Sequence, residues 1–186
     1  AGTGPAPSPG PGRADAYVVH AVDDDPYLRA EALCAWAEAF EASRGRSPAV
    51  WIDVRCADVS LDSAELLAHV PAYLVRCRAL VVLASPAVAD SLWCAGELYA
   101  WTALGGTPEA AEAAIVATGA GGRQAAARRA VEAFDAFHAM HARPPRVMAD
   151  AADALRRAPE VEGVGPFNRA VRSFLGPVRR AAAAVE

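Results

Sequence analysis

The chain has 186 residues, 54% of them hydrophobic, and a formal net charge of −4. That is enough apolar material for one compact domain with a core, and the mildly acidic balance gives no electrostatic basis for binding nucleic acid or an anionic membrane surface. All 18 basic residues are arginine, so chemistry that needs a lysine is excluded.

No apolar run approaches the ~20 residues of a membrane span, so no membrane segment is expected. The four cysteines, Cys34, Cys56, Cys77 and Cys94, stand far apart with no CxxC spacing. That pattern disfavours a zinc site or a disulfide framework and fits reduced thiols in a cytoplasmic protein. No signal peptide is visible and the chain starts at Ala1, as expected of a piece excised from a longer protein.

Residues 1–14, "AGTGPAPSPGPGRA", are rich in Pro, Gly and Ser and read as a disordered linker. A short β-branched run predicts a first strand over roughly Ala16 to Ala21. Asp25 is a plausible N-cap with Pro26 in the first helical turn. Leu28, Ala32, Leu33, Trp36 and Phe40 recur at helical spacing to about Ser43, and Gly45 ends the run. "AVWIDV" predicts a second strand. Asp62 is placed to cap a helix carrying Leu66, Leu67, Val70, Tyr73 and Leu74. "ALVVLAS" is apolar throughout, as a strand covered on both faces must be. After Pro86 one helix is predicted from about Ala87 to Leu104, stopped by Gly105-Gly106. "AAIVAT" predicts a fourth strand, and Gly119 to Gly122 a turn.

Strands alternating with helices predict an α/β fold: a flavodoxin-like parallel sheet with helices on both faces. The core is expected over residues 15–122. Residues 123–186 are expected to form a helical C-terminal extension packed on it, with helices over "RQAAARRAVEAFDAFHAMHA" from Arg123 to Ala142 (a short strand at "FDAFHAM" being the alternative), from Met148 to Ala158, and from about Pro166. In such sheets ligands sit beyond the carboxyl ends of the strands. Here those positions are His20 to Asp24, Asp53 to Asp58, and Ser85 onward, the polar stretches of the chain.

"VDDDP" and "WIDVRCADVSLDSAELL" also resemble the acidic pair and phospho-accepting segment of a response-regulator receiver. One helix separates Asp24 from Asp53, where a receiver has two strands and two helices, and the phosphate-neutralising lysine is missing. The receiver reading is therefore set aside.

The order of short motifs resembles a Toll/interleukin-1 receptor (TIR) domain more closely. "YVVHAVDDDPYLRAEALCAWAEA" is similar to that family's first strand, its Ser-His-x-x-x-Asp-type loop and its first helix, with Val19 in place of the serine. "VWIDV" resembles the second strand and its Trp-x-Asp ending. "LDSAELLAHVPAYLVRCRALVVLASPAVADSLWCAGEL" resembles the next helix, the third strand and the Ser-x-Trp-Cys-x-x-Glu-Leu motif. The "CAD" loop and "GVGPFNRAVR" are similar to TIR-like proteins of protists. The resemblance covers about Asp15 to Gly106.

It implies a signalling domain of one of two kinds. One assembles non-enzymatically with itself or with other TIR-like domains. The other hydrolyses NAD, as substrate rather than cofactor, at the nicotinamide-ribose bond, using the glutamate that falls here on Glu97. That cleavage builds oxocarbenium character at ribose, which a nearby carboxylate on a rigid helix, partly buried, can stabilise. A nucleoside hydrolase or transferase on a similar sheet would use a carboxylate the same way. His20 and Asp24 fall on the family's loop as ligand-contact candidates; alternatively His20 holds local backbone and Asp24 replaces Asp25 as the cap. Asp53 either binds ribose hydroxyls or pairs with Arg55. Arg55 is the candidate for a pyrophosphate, because a guanidinium offers paired donors. Trp93 stands beside the ligand position, though it and Cys94 read first as core. A Cys94–His20 thiol nucleophile is a further alternative. Departures are the missing glycine after the second strand and the lack of a Gly-rich phosphate cradle.

Overall fold

A computed structural model of the chain describes residues 14–53, 63–139, 141–143 and 164–185. The elements are β1 (Ala14–Val19), α1 (Pro26–Arg44), β2 (Val50–Ile52), α2 (Ser63–Leu74), β3 (Cys77–Ala84), α3 (Pro86–Ala89), α4 (Leu92–Ala103), β4 (Ala111–Ile115), α5 (Gly122–Asp135), α6 (Val164–Ser173) and α7 (Leu175–Ala183). The four strands form one parallel sheet in the order β2-β1-β3-β4, with register pairs such as Val18 with Ile52 and Val18 with Val81. This is the flavodoxin-like α/β arrangement that the alternation of elements predicts.

The two central strands are apolar on both faces. Tyr17, Val19, Leu80, Val82 and Ala84 point one way, into a core shared with Leu98, Phe134, Phe174 and Val178. Ala16, Val18, Val81 and Leu83 point the other way, onto Ala32 and Trp36 of α1. Phe174 and Val178 are fully buried, so the last two helices share the core of the sheet. Tyr99 and Phe167 stack at 5.0 Å to join α6 to α4.

Local chemistry sets the first turn of the fold. Asp25 accepts from the backbone N–H of Tyr27 and Leu28 at 2.8 and 3.2 Å, with Pro26 behind it. Capping by Asp25 releases Asp24 for other work. Gly45 closes α1 at φ 70°, the left-handed region that glycine enters freely.

Three expectations are corrected. The helix predicted from Ala87 to Leu104 is two helices, α3 and α4, broken at Asp90-Ser91. Ser91 turns its hydroxyl back to accept from Cys94 N at 3.3 Å, the competing local bond that makes serine a helix starter. Arg143 then pins the break: it receives Leu92 N–H on its carbonyl at 3.0 Å and donates its own N–H to Asp90 O at 2.6 Å. The single last helix is likewise two, because Pro177 has no N–H to give Ser173 and its ring crowds that carbonyl. The first helix after Arg123 ends at Asp135, short of the predicted run. The strand limits also differ, β1 spanning Ala14–Val19 and β4 Ala111–Ile115. Residues 1–13, Asp62 and the helix expected from Met148 to Ala158 lie outside the described residues.

Asp15 ties the N-terminal end of β1 to the chain entering β2. Arg46 donates to both its oxygens at 2.7 and 2.6 Å, and Ala49 N–H adds a third bond at 2.9 Å. The Arg46 guanidinium, with the Ala49 N–H assisting it against the cost of burial, holds the Asp15 carboxyl down at about 2. Its folded pKa lies below the ordinary 3.8, so its contribution is present above that value and is lost as pH falls through about 2. Asp15→Asn is expected to cost on the order of 1 kcal/mol at pH 7, since Arg46 is half exposed. In urea unfolding, the gap between variant and wild type should close as the pH is lowered from 4 toward 2.

Candidate functional site

The carboxyl ends of β1, β2 and β3 meet the start of α1 and the first half of α4. Six polar or charged residues are buried among the described residues, and four of them, His20, Asp24, Ser85 and Glu97, lie here. Each is delivered by a strand end or by the helix that follows it.

His20 leaves the end of β1 and is 7% exposed. Its Nδ1 lies 2.8 Å from Arg29 Nη1 and its Nε2 lies 3.0 Å from Asp53 Oδ1. Arginine only donates, so Nδ1 must accept, and the ring proton sits on Nε2 and is donated to Asp53. The histidine is thus held in one neutral tautomer between a guanidinium from α1 and a carboxylate from the end of β2. Asp53 therefore pairs with His20.

Asp24 is also 7% exposed and accepts the Ser85 hydroxyl on Oδ2 at 2.6 Å. The same Ser85 oxygen accepts Val88 N–H at 3.2 Å and starts α3. Burial raises the Asp24 carboxyl above its ordinary value, while the Ser85 bond and the nearby Arg29 pull it back in part.

Glu97 lies deeper, at 1% exposure. Tyr17 OH donates to its Oε1 at 2.6 Å, from the middle of β1. Burial, reinforced by the negative charge of Asp53, pushes the Glu97 carboxyl well above its ordinary range. Both effects favour the protonated form of the carboxyl. The Trp93 indole comes near enough to favour the charged form somewhat. Its Nε1–H is buried without a hydrogen-bond partner. Tyr17 is pushed upward in turn by its burial and by Glu97.

Cys94 is 1% exposed, and its thiol faces the backbone carbonyl of His20, Sγ to O 3.2 Å, not the ring. Burial raises that thiol well above its ordinary pKa. Among the described residues no base is hydrogen-bonded to it, and a thiolate nucleophile has no support from them.

The predicted residues therefore divide clearly. His20, Asp24, Asp53, Trp93 and Glu97 come together, and Arg55 lies outside the described residues. Asp24 is not a helix cap, since Asp25 does that work. Glu97 is fully buried, where partial burial is expected of a working carboxylate. It lines neither the cleft of ≈ 520 Å³ nor the smaller one of ≈ 260 Å³, and its partner is a tyrosine. Tyr17 and Arg29 were missed as site residues. A tyrosine inside a doubly covered strand carries the signal for the first, because its buried hydroxyl needs a partner. Nothing in the helical pattern marks Arg29. Among the described residues no three His, Cys, Asp or Glu side chains converge on a metal-sized space.

No family profile, curated protein or solved structure matches this chain.

The Tyr17–Glu97 pair gives a test with a definite sign. A raised folded pKa means that wild-type stability falls as pH climbs above the ordinary 4.5 of a glutamate, because the folded state holds a proton the unfolded state has released. Glu97→Gln removes that penalty. Its stability relative to wild type is expected to improve from pH 4.5 to pH 8, as read by chemical denaturation. Tyr17→Phe leaves the acid without its donor and should cost about 1–3 kcal/mol.

Proposed function

We propose that the chain is a TIR-like signalling domain whose strand-end crevice cleaves NAD at the nicotinamide-ribose bond, with Glu97 as the acting carboxyl. One observation carries this reading: among the described residues, four of the six buried polar or charged side chains gather at the carboxyl ends of the strands. Perturbed, desolvated acids collected in that position mark functional sites.

The chemistry asks for a carboxylate near ribose. Burial favours the protonated form of Glu97, and a positively charged nicotinamide or the developing oxocarbenium ion would favour its ionised form. Tyr17 fixes the orientation of the carboxyl at 2.6 Å, which serves the positioning that such a step needs. Substrate access then requires the side chains over Glu97 to move. His20, held by Arg29 and Asp53, gives that corner a rigid donor–acceptor frame for ribose hydroxyls.

A second reading belongs to a different class: a non-enzymatic module that assembles with other TIR-like domains. The 1% exposure of Glu97 and its bond to Tyr17 favour it, because a sealed carboxyl tied to a core tyrosine is a structural element. Val22 at 70% and Tyr27 at 84% exposure offer apolar contact on the loop and first turn beside the site.

Nicotinamide release from NAD by the purified domain separates the two. It is best measured at high protein concentration with a crowding agent, beside Glu97→Ala and Glu97→Gln. The catalytic reading expects activity in wild type and a loss of roughly 100-fold or more in both variants. Equal release by wild type and Glu97→Ala would sink it. A folded wild type with no release and no NAD binding by calorimetry would leave the assembly module.

A further inference from the structure

A second feature stands on the other side of Asp24. A cleft of ≈ 520 Å³ opens between α3 and the C-terminal end of α5, within the range of a few hundred to about 1,000 Å³ that holds small molecules. Its apolar wall comes from alanines of both helices and from Phe137. Its polar groups are Asp24, Asp90, Thr118, Arg143, His138 and His141. Neither Glu97 nor Tyr17 reaches it, so nothing about it rests on NAD cleavage.

Among the described residues that line the cleft the charge balance is negative, although Arg29 stands near Asp24 from the other side. Asp24 and Asp90 line the cleft, and Asp23 stands at its edge, 3.9 Å from Arg143. The one guanidinium among them is already bound through Nε to Asp90. The last turn of α5 also ends at the cleft, through Ala133, Ala136 and Phe137. The carbonyl end of a helix adds partial negative charge there.

Asp24 supplies the decisive detail. The residue is more than nine-tenths buried, yet only Oδ2 carries a hydrogen bond, from Ser85. Oδ1 carries no hydrogen bond among the described residues, and Asp24 lines the cleft. A desolvated carboxyl with one unfilled oxygen calls for a donor, and a cation fills it best, since charge-assisted bonds are the strong ones. At the rim, the His138 and His141 rings stand 5.1 Å apart, tilted by 36°. Phe137 lines the cleft beside them and offers a flat face for a planar body and for cation–π attraction.

We propose that this cleft is a binding site for a small organic cation, an ammonium or amidinium group carried on a flat apolar body, with Asp24 as its counter-ion. An anionic ligand does not suit it, because Arg143, the guanidinium among the described lining residues, is engaged by carboxylates. Burial raises the Asp24 carboxyl above its ordinary value, and a bound cation offsets that cost.

The test is an NMR titration of the ¹⁵N-labelled domain with benzylammonium, benzyl alcohol and benzoate as probes. Benzylammonium is expected to give saturable shifts at the amides of Ala87, Ala136 and His141, with affinity at least tenfold above benzyl alcohol and no binding of benzoate. Ala136→Phe fills the cleft from an exposed position and should abolish those shifts. Asp24→Asn keeps the shape and should weaken benzylammonium at least fivefold while leaving benzyl alcohol unchanged. If Asp24→Asn does not fold, Ala136→Phe and the probe series still decide the matter. Equal affinity for the alcohol and the ammonium would overturn the proposal in favour of a plain apolar groove. Shifts that survive Ala136→Phe, or no saturable shift at all, would overturn it as well.

Discussion

β1 and β3 are covered on both faces, and that constraint organises the molecule. Ala16, Tyr17, Val18, Val19 and the run from Leu80 to Ala84 are at most 2% exposed. A strand in that position has no solvated side on which to carry polar groups, so hydroxyls, carboxyls and imidazoles collect where the strands end. Tyr17 is the exception, with its ring in the core and its hydroxyl needing a partner. Glu97 answers from α4 at 2.6 Å. The pair crosses from the sheet to the covering helix and fixes the rotation of α4 over the strands. The positions of Trp93 and Cys94 follow from that rotation.

The cost of that arrangement is electrostatic. Glu97 lies fully buried near Asp53, and both burial and the neighbouring charge favour its neutral form. Asp53 is itself engaged by His20, whose other nitrogen meets Arg29. The chain Arg29–His20–Asp53 therefore brings one positive and one negative charge to the same corner, on either side of a neutral ring. Ser85 does similar double duty, donating to Asp24 and accepting from Val88. Each polar atom described there except the Trp93 and Arg29 nitrogens has a partner or an opening. Those two unpaired donors lie beside the acids, where a bound ligand could satisfy them.

Asp24 stands between two environments. On one side is the His20 and Arg29 corner; on the other is the cleft under α3 and α5. The break between α3 and α4 makes this possible. One unbroken helix would carry Asp90 and Ser91 past the cleft. The break instead brings Arg143 alongside Ser91 and closes the cleft's outer wall.

Much of this was written locally. The apolar runs determined the strands, and the spacing from Leu28 to Phe40 determined α1. Asp25, Pro26 and Gly45 set its ends, because caps and φ preferences act over a few residues. The motif residues His20, Asp24, Asp53 and Glu97 could be placed at strand ends because a parallel sheet puts them there. Tertiary structure alone decided the partners. Tyr17 and Glu97 are 80 residues apart in sequence, and His20 chooses Asp53 and Arg29 over Cys94 by direction as much as by distance. The helix break at Ser91 is held by Arg143, far along the chain. Hydrogen bonding and desolvation depend on which atoms meet and how much water remains, and no periodicity in the sequence encodes either.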